Sequence, residues 1–182
     1  SSPPTIADTP ALNITASDVS VQCEGMRLEY GASANGSALT VGASDNVSVD
    51  GCEVAQASGS FSGAAISLRG TSKDVTNASV TDTNVTTQGN YSPGVELFET
   101  ADVLVQGVLQ NSSGADSPGF VVNRSAGARL LDINGTTTGL HSQGVFVDSS
   151  NGTVIDGFDT YVSNADTGGS FSRNLMLVDA HY

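Results

Sequence analysis

Three successive stretches of the chain, GVELFETADVLVQGV from Gly94, GFVVNRSAGARLLDI from Gly119 and GVFVDSSNGTVIDGF from Gly144, carry one pattern of apolar and small residues. Counting each opening glycine as position 1, apolar residues fill positions 2 and 4: Val95/Leu97, Phe120/Val122 and Val145/Val147. Positions 10 and 12 hold Val103/Val105, Ala128/Leu130 and Thr153/Ile155, and position 15 holds Val108, Ile133 and Phe158. An earlier copy starts at Ala38, with Leu39/Val41, Val47/Val49 and then Cys52. Another starts at Ala65, with Ile66/Leu68, Val75, and Val80 in the position-15 column after one inserted residue. A partial copy begins at Asn174 with Leu175 and Leu177, so the starts are spaced 27, 29, 25, 25 and 30 residues apart.

Each copy reads as two or three short strands of period-two alternation, joined by turns rich in Gly, Ser, Asn and Asp. A sustained period near 25 calls for a repeat architecture. Helical solenoids need an i, i+3, i+4 pattern that is missing, leucine-rich repeats need a Leu spacing that is missing, and propeller blades need about 40 residues each. An all-β, right-handed parallel β-helix of about five to six turns, with about 25–30 residues per turn, fits. An antiparallel β-sandwich with accidental periodicity is the competing fold. Residues 1–18 form a Pro-containing N-terminal arm and first strand, and residues 19–182 the β-helix.

The register G-V-x-L…V-x-V…V over residues 37–182 resembles the parallel β-helix repeat family, the NosD-like and carbohydrate-binding or sugar-hydrolase-type repeats of secreted and surface proteins. That resemblance implies a fold more than an activity, since such coils serve as polysaccharide lyases and hydrolases, as adhesins and as structural surface proteins.

Composition narrows the field. The chain has 182 residues, no Trp, and 5% aromatic content, but 21 glycines. Nineteen acids against six bases give a net charge of −13, and Lys73 is the one lysine. Such a surface repels phosphates, which argues against nucleic acid as a partner. It suits a salt-rich habitat such as that of a halophilic archaeon. No apolar run approaches the ~20 residues of a membrane helix, so no direct membrane insertion is expected. The start SSPPTIADTP suggests a processed mature protein or an excised segment.

Cys52 falls on position 15, and Cys23 lies 29 residues before it, about one turn. Consecutive turns bring such positions within the ~5–6 Å Cα separation of a disulfide, so a Cys23–Cys52 bridge is expected, and with it an oxidising extracellular or cell-surface location. Two buried thiols are the alternative. Two Cys and two scattered His give no metal site and no cofactor site.

The asparagines carry the strongest functional signal. Ten of twelve stand in Asn-x-Ser/Thr: Asn13, Asn35, Asn46, Asn77, Asn84, Asn90, Asn111, Asn123, Asn134 and Asn151. With 25 Ser and 17 Thr in the chain, chance gives about three such sequons, so dense N-glycosylation is expected. Turn chemistry alone accounts for the Asn-Gly cases Asn35, Asn134 and Asn151.

Catalytic residues are not apparent. No two acids are adjacent, the arginines (Arg27, Arg69, Arg124, Arg129, Arg173) are dispersed, and Asp156 and Asp159 read as solvated surface acids. His141 and His181 have no recognisable nucleophile partner. The sequence therefore points to a non-enzymatic extracellular protein, a subunit of a head-to-tail filament or surface coat. The alternatives are a glycan-binding or adhesive module and, more remotely, a polysaccharide lyase or hydrolase. A binding module would group its tyrosines, yet Tyr30, Tyr91, Tyr161 and Tyr182 are spread along the chain. Head-to-tail self-association follows from apparently uncapped ends. NLMLVDAHY reads as a strand with unburied apolar residues, and the arm offers Ile6, Leu12 and Ile14 for pairing.

Overall fold

The computed structural model describes residues 10–31, 36–57, 62–162 and 173–178. Within them the chain is a coil of parallel strands, three to a rung, stacked through six rungs and the first strand of a seventh. The first sheet runs Leu12–Ile14, Leu39–Gly42, Ile66–Arg69, Val95–Phe98, Phe120–Asn123, Gln143–Asp148 and Arg173–Val178. The second runs Val19–Gln22, Val47–Asp50, Ser79–Thr81, Leu104–Gln106, Arg129–Leu131 and Val154–Asp156. The third runs Arg27–Tyr30, Glu53–Gln56, Asn84–Thr87, Leu109–Ser112, Asn134–Thr137 and Asp159–Val162. At ~4.8 Å per rung the coil is about 30 Å long. The strand Leu12–Ile14, at the end of the N-terminal arm, pairs with Leu39–Val41 and is itself part of the first rung. Residues 1–9 of the arm lie outside the described residues.

The expected first column is present: Leu39 pairs with Ile66, Ile66 with Val95, Val95 with Phe120 and Phe120 with Val145. All five are at most 1% exposed. Alternation drives this burial, because successive side chains of a strand point to opposite faces and only one face looks into the coil.

The position-15 column differs at one rung. Val80 pairs with Val49 and Val105, so it belongs to the interior of the second sheet. Thr83 stands in the place expected for Val80, since it immediately precedes Asn84, as Cys52 precedes Glu53 and Val108 precedes Leu109 in the paired third-sheet strands. The cause is an insertion. Ten residues separate the columns from Val95 to Val105, but fourteen separate Ile66 from Val80. The excess forms a protrusion around Lys73, ahead of the short strand Val75–Thr76, which pairs with Thr100–Ala101. The Thr83 hydroxyl donates to its neighbour's carbonyl, that of Thr81, at 2.8 Å, which is how a polar side chain satisfies this buried column.

Stacking also dictates the corners. Between the second and third sheets, a stacked column of residues adopts positive φ: Glu24 (followed by Gly25, also at positive φ), Gly51, Asp82, Gly107, Asp132 and Gly157. Acid and glycine alternate. Asp tolerates the left-handed region better than most residues, and its carboxylate then leans over the next rung. A Cβ on Gly107 would meet Asp82 Oδ1 at 2.5 Å, and one on Gly157 would meet Asp132 Oδ1 at the same distance. Asp82 and Asp132 therefore require glycine above them, and like charges in this column are kept two rungs apart.

Two substitutions test this register. Val108, 1% exposed, is expected to tolerate Asp poorly: Val108→Asp should cost about 3–5 kcal/mol, as for an uncompensated buried charge, measured by denaturant unfolding. Wild-type stability would contradict the column. Gly107→Ala is expected to lose about 1–3 kcal/mol from its left-handed backbone and its contact with Asp82, and Asp82→Ala introduced beside it should restore part of that loss.

Candidate functional site

Cys23 and Cys52 form a disulfide with Cα atoms 4.8 Å apart, tying the first rung to the second. Both cysteines are buried, at 5% and 2% exposure. Closing a loop of 29 residues contributes about 3 kcal/mol in the chain-entropy account.

The sequon asparagines fall into distinct settings, with Asn35 outside the described residues. Eight of the other nine are exposed: Asn13, Asn46, Asn77, Asn84, Asn90, Asn111, Asn134 and Asn151. Three occupy the outer surface of the third sheet on successive rungs. Asn84 and Asn134 share one column with Leu109 between them, and Asn111 sits in the next column, paired with Thr86 and Thr136. These two threonines are also the hydroxyl positions of the flanking sequons, and a groove of about 210 Å³ runs among them. Asn46 and Asn77 occupy the corner between the first and second sheets at φ 56° and 50°. There the Asn46 amide donates to Asp18 Oδ1 at 2.8 Å.

Asn123 and Asn90 differ from the rest. Asn123 is half-buried, and its Oδ1 is enclosed without a hydrogen-bond partner. Its sequon hydroxyl, Ser125, is only 3% exposed. Ser125 belongs to a ladder in which Thr100 N donates to Ser125 Oγ at 3.2 Å and Ser125 N donates to Ser150 Oγ at 3.1 Å. The sequon of Asn90 ends likewise in Ser92, part of a second ladder. Ser92 N donates to Ser117 Oγ at 3.0 Å and Ser117 N to Ser142 Oγ at 2.9 Å, and the hydroxyls of Ser117 and Ser142 donate to the Gly89 and Gly114 carbonyls. At these two sequons the serine serves the coil's interior. The signal for the second ladder lies in the sequence as G-x-x-S-[P/Q]-G, repeated from Gly89, Gly114 and Gly139. Sequence reasoning passed over it because serine beside glycine reads as surface turn.

The basic side chains mostly join rungs. Arg27 pairs with Glu53 at 3.1 Å, Arg69 with Glu96 at 2.8 Å, Arg124 with Glu99 at 3.5 Å, and Lys73 with Asp45. The Lys73 ammonium and the Thr76 hydroxyl beside Asp45 hold its carboxyl below the usual carboxylate range. Burial pushes the Tyr30 phenol up. Arg69 and Arg124 also stand over the Phe98 ring, at 4.4 and 5.5 Å from its centroid. Arg69 and Glu96 line a cleft of about 370 Å³ with Ser62, Ser67, Tyr91 and Pro93.

Among the described residues, Asp156, Asp159 and His141 stand at separate places on the surface. Asp156 ends a second-sheet strand and Asp159 begins a third-sheet strand, and both are exposed. His141 Nδ1 lies 3.3 Å from Asp116 Oδ1 on an exposed corner, and His181 lies outside the described residues. Among the described residues, no three His, Cys, Asp or Glu side chains are grouped to hold a metal ion. No helix among them is long and apolar enough to cross a membrane.

No family model and no curated protein matches the chain. Among solved structures it is similar to a mutant of the periplasmic alginate epimerase AlgG, at 11% identity and a TM-score of 0.43, covering 97% of this chain and 44% of that one. It is similar to a candidate glycosyl hydrolase from Parabacteroides merdae at 12% identity and a TM-score of 0.32, covering 86% of this chain and 80% of that one. It is also similar to the surface protein and adhesin PfbA of Streptococcus pneumoniae at 12% identity and a TM-score of 0.35, covering 91% and 66%. The chain spans less than half the length of the epimerase.

Proposed function

We propose that the chain is an extracellular, densely N-glycosylated structural protein, a rod-shaped subunit of a filament or surface coat. The observation that supports this reading most directly is the exposure of eight sequon asparagines around a coil whose inward columns are filled by packing. Side chains there are committed to holding rungs together, while the outside presents acceptors for glycans. The disulfide supports an oxidising environment. The charge of −13 with a single lysine supports a surface suited to high salt.

Head-to-tail assembly is part of the proposal. The last described strand, Arg173–Val178, leaves Leu175 and Leu177 39% and 42% exposed. A strand of this kind suits cover by a further rung; in this proposal the first rung of another copy supplies it, and such a heterologous contact propagates rather than closing. Glycans on the third sheet and at the corner between the first and second sheets would limit sideways association at those places while leaving the ends free. A second reading, an adhesive glycan-binding module, is favoured only by the cleft at Tyr91, Arg69 and Glu96, where an exposed ring adjoins a donor–acceptor pair.

The intact mass of protein from its native source is expected to exceed the sequence mass of 18.4 kDa by several glycans, with Asn84, Asn111 and Asn134 among the modified residues in peptide maps. Finding all ten sequon asparagines unmodified in that material would overturn the glycosylated reading. Saturable binding of a free oligosaccharide, abolished by Tyr91→Ala, would favour the adhesive one.

A further inference from the structure

The second sheet differs from the rest of the girth in two ways. No sequon asparagine lies in any of its six strands, whereas the third sheet carries three. It also holds Arg129. Four of the five basic side chains described pair with an acid one rung away. Arg129 is exposed and has no such partner among the described residues, although the chain carries nineteen acids. An unpaired arginine framed by apolar side chains, on strands that carry no sequon although Asn134 and Asn151 flank them three residues away, is the composition of a contact surface.

The frame follows from the register. Arg129 pairs with Val154 and Leu131 with Asp156, so the four side chains stand at the corners of a rectangle on the outer face. Leu131 and Val154 occupy one diagonal, and Arg129 and Asp156 the other. Val154 is 47% exposed and Leu131 half-buried.

We propose that this rectangle is a lateral contact between two copies of the chain. Let a two-fold axis lie in the interface along the Leu131–Val154 diagonal. Leu131 and Val154 then each face their own counterparts, and each Arg129 faces the other copy's Asp156. The four residues are self-complementary about that axis, as an isologous contact requires. Reflecting the coil axis across the diagonal makes the two coils cross at roughly 90°, the orthogonal class of sheet packing. Four residues a side fall well short of the roughly 20–30 residues a side of a stable interface. The contact is therefore weak singly; two crossed filaments meet at one such point, and the effect grows only where many filaments cross in a mesh. This rests on the glycoprotein reading for its choice of face, because sugars on the third sheet would keep that face apart.

Single-cysteine variants of glycosylated protein, oxidised under mild conditions, test it. Leu131→Cys is expected to give a disulfide-linked dimer, since Leu131 faces its own copy, and Val154→Cys reads the same contact should Leu131→Cys fold poorly. Leu109→Cys serves as the control. Leu109 is 44% exposed, much as Val154 is, but lies between Asn84 and Asn134 and is expected to cross-link little. Adding Arg129→Glu to Leu131→Cys should lower the dimer yield by about tenfold, because it sets two acids against each other. Dimer yields at Leu131 and Val154 no higher than at Leu109, or unchanged by Arg129→Glu, would overturn the contact. Mass measurement of the same samples separates the two ideas. Unmodified Asn84 and Asn134 would remove the sugars that set the third sheet apart, while the response to Arg129→Glu reads the contact regardless.

Discussion

Every feature of this molecule depends on rung-on-rung registry. A parallel coil sets each residue about 4.8 Å from its counterparts in the rungs above and below, so a side chain is judged first against its own column. Apolar columns reinforce themselves, and the result is the stack of Leu39, Ile66, Val95, Phe120 and Val145 at the centre of the core. Polar columns must satisfy themselves from rung to rung, which the ladders through Ser117 and Ser125 do by donating from one rung's backbone to the next rung's hydroxyl. At the left-handed corner between the second and third sheets a column of acids would repel itself, and acid alternates with glycine there.

The same registry decided what could be read from the sequence. Columns of Val, Ile, Leu and Phe were legible because apolar alternation recurs at a nearly fixed period, and the Cys23–Cys52 pairing followed from that period. The third rung was misread in one column because its insertion precedes two valines, Val75 and Val80, either of which satisfies an apolar position. Thr83, which fills the column instead, looked like a turn residue. The buried serines were illegible for a related reason: a hydroxyl beside glycine marks a surface turn in most chains, and only the stacking turns it inward. This also means that the Asn90 and Asn123 sequons arise in part from the demand for serine at positions 92 and 125. The Leu131–Arg129–Val154–Asp156 rectangle depends on which strands pair, and no single stretch of sequence displays it.

Interior and exterior thus have separate tasks. The interior is filled by packing and hydroxyl ladders, though Ser44, Thr87, Asn123 and Thr153 each have a buried polar atom without a partner and Gln110 has two. This fully buried side chain has both amide atoms without a partner and lies among Gly94, Gly119 and Gly135, where a Cβ would collide with it. We have no physical account of why a glutamine occupies a column held by Val85 in the preceding rung. The exterior is more mixed: sequon asparagines stand on the first and third sheets and at two corners, ion pairs join rungs on the first and third sheets and at a corner, and the strands of the second sheet carry no sequon. That arrangement suits a rod built to be coated and joined.

The central claim is that these coils join end to end as glycosylated subunits of a larger structure. Electron cryomicroscopy of the native material, in the salt of its habitat, tests it most directly. The account predicts filaments whose axis coincides with the coil axis, with the ~4.8 Å strand repeat running unbroken through the joints between subunits. A monodisperse monomer that persists at high protein concentration in that salt would contradict it.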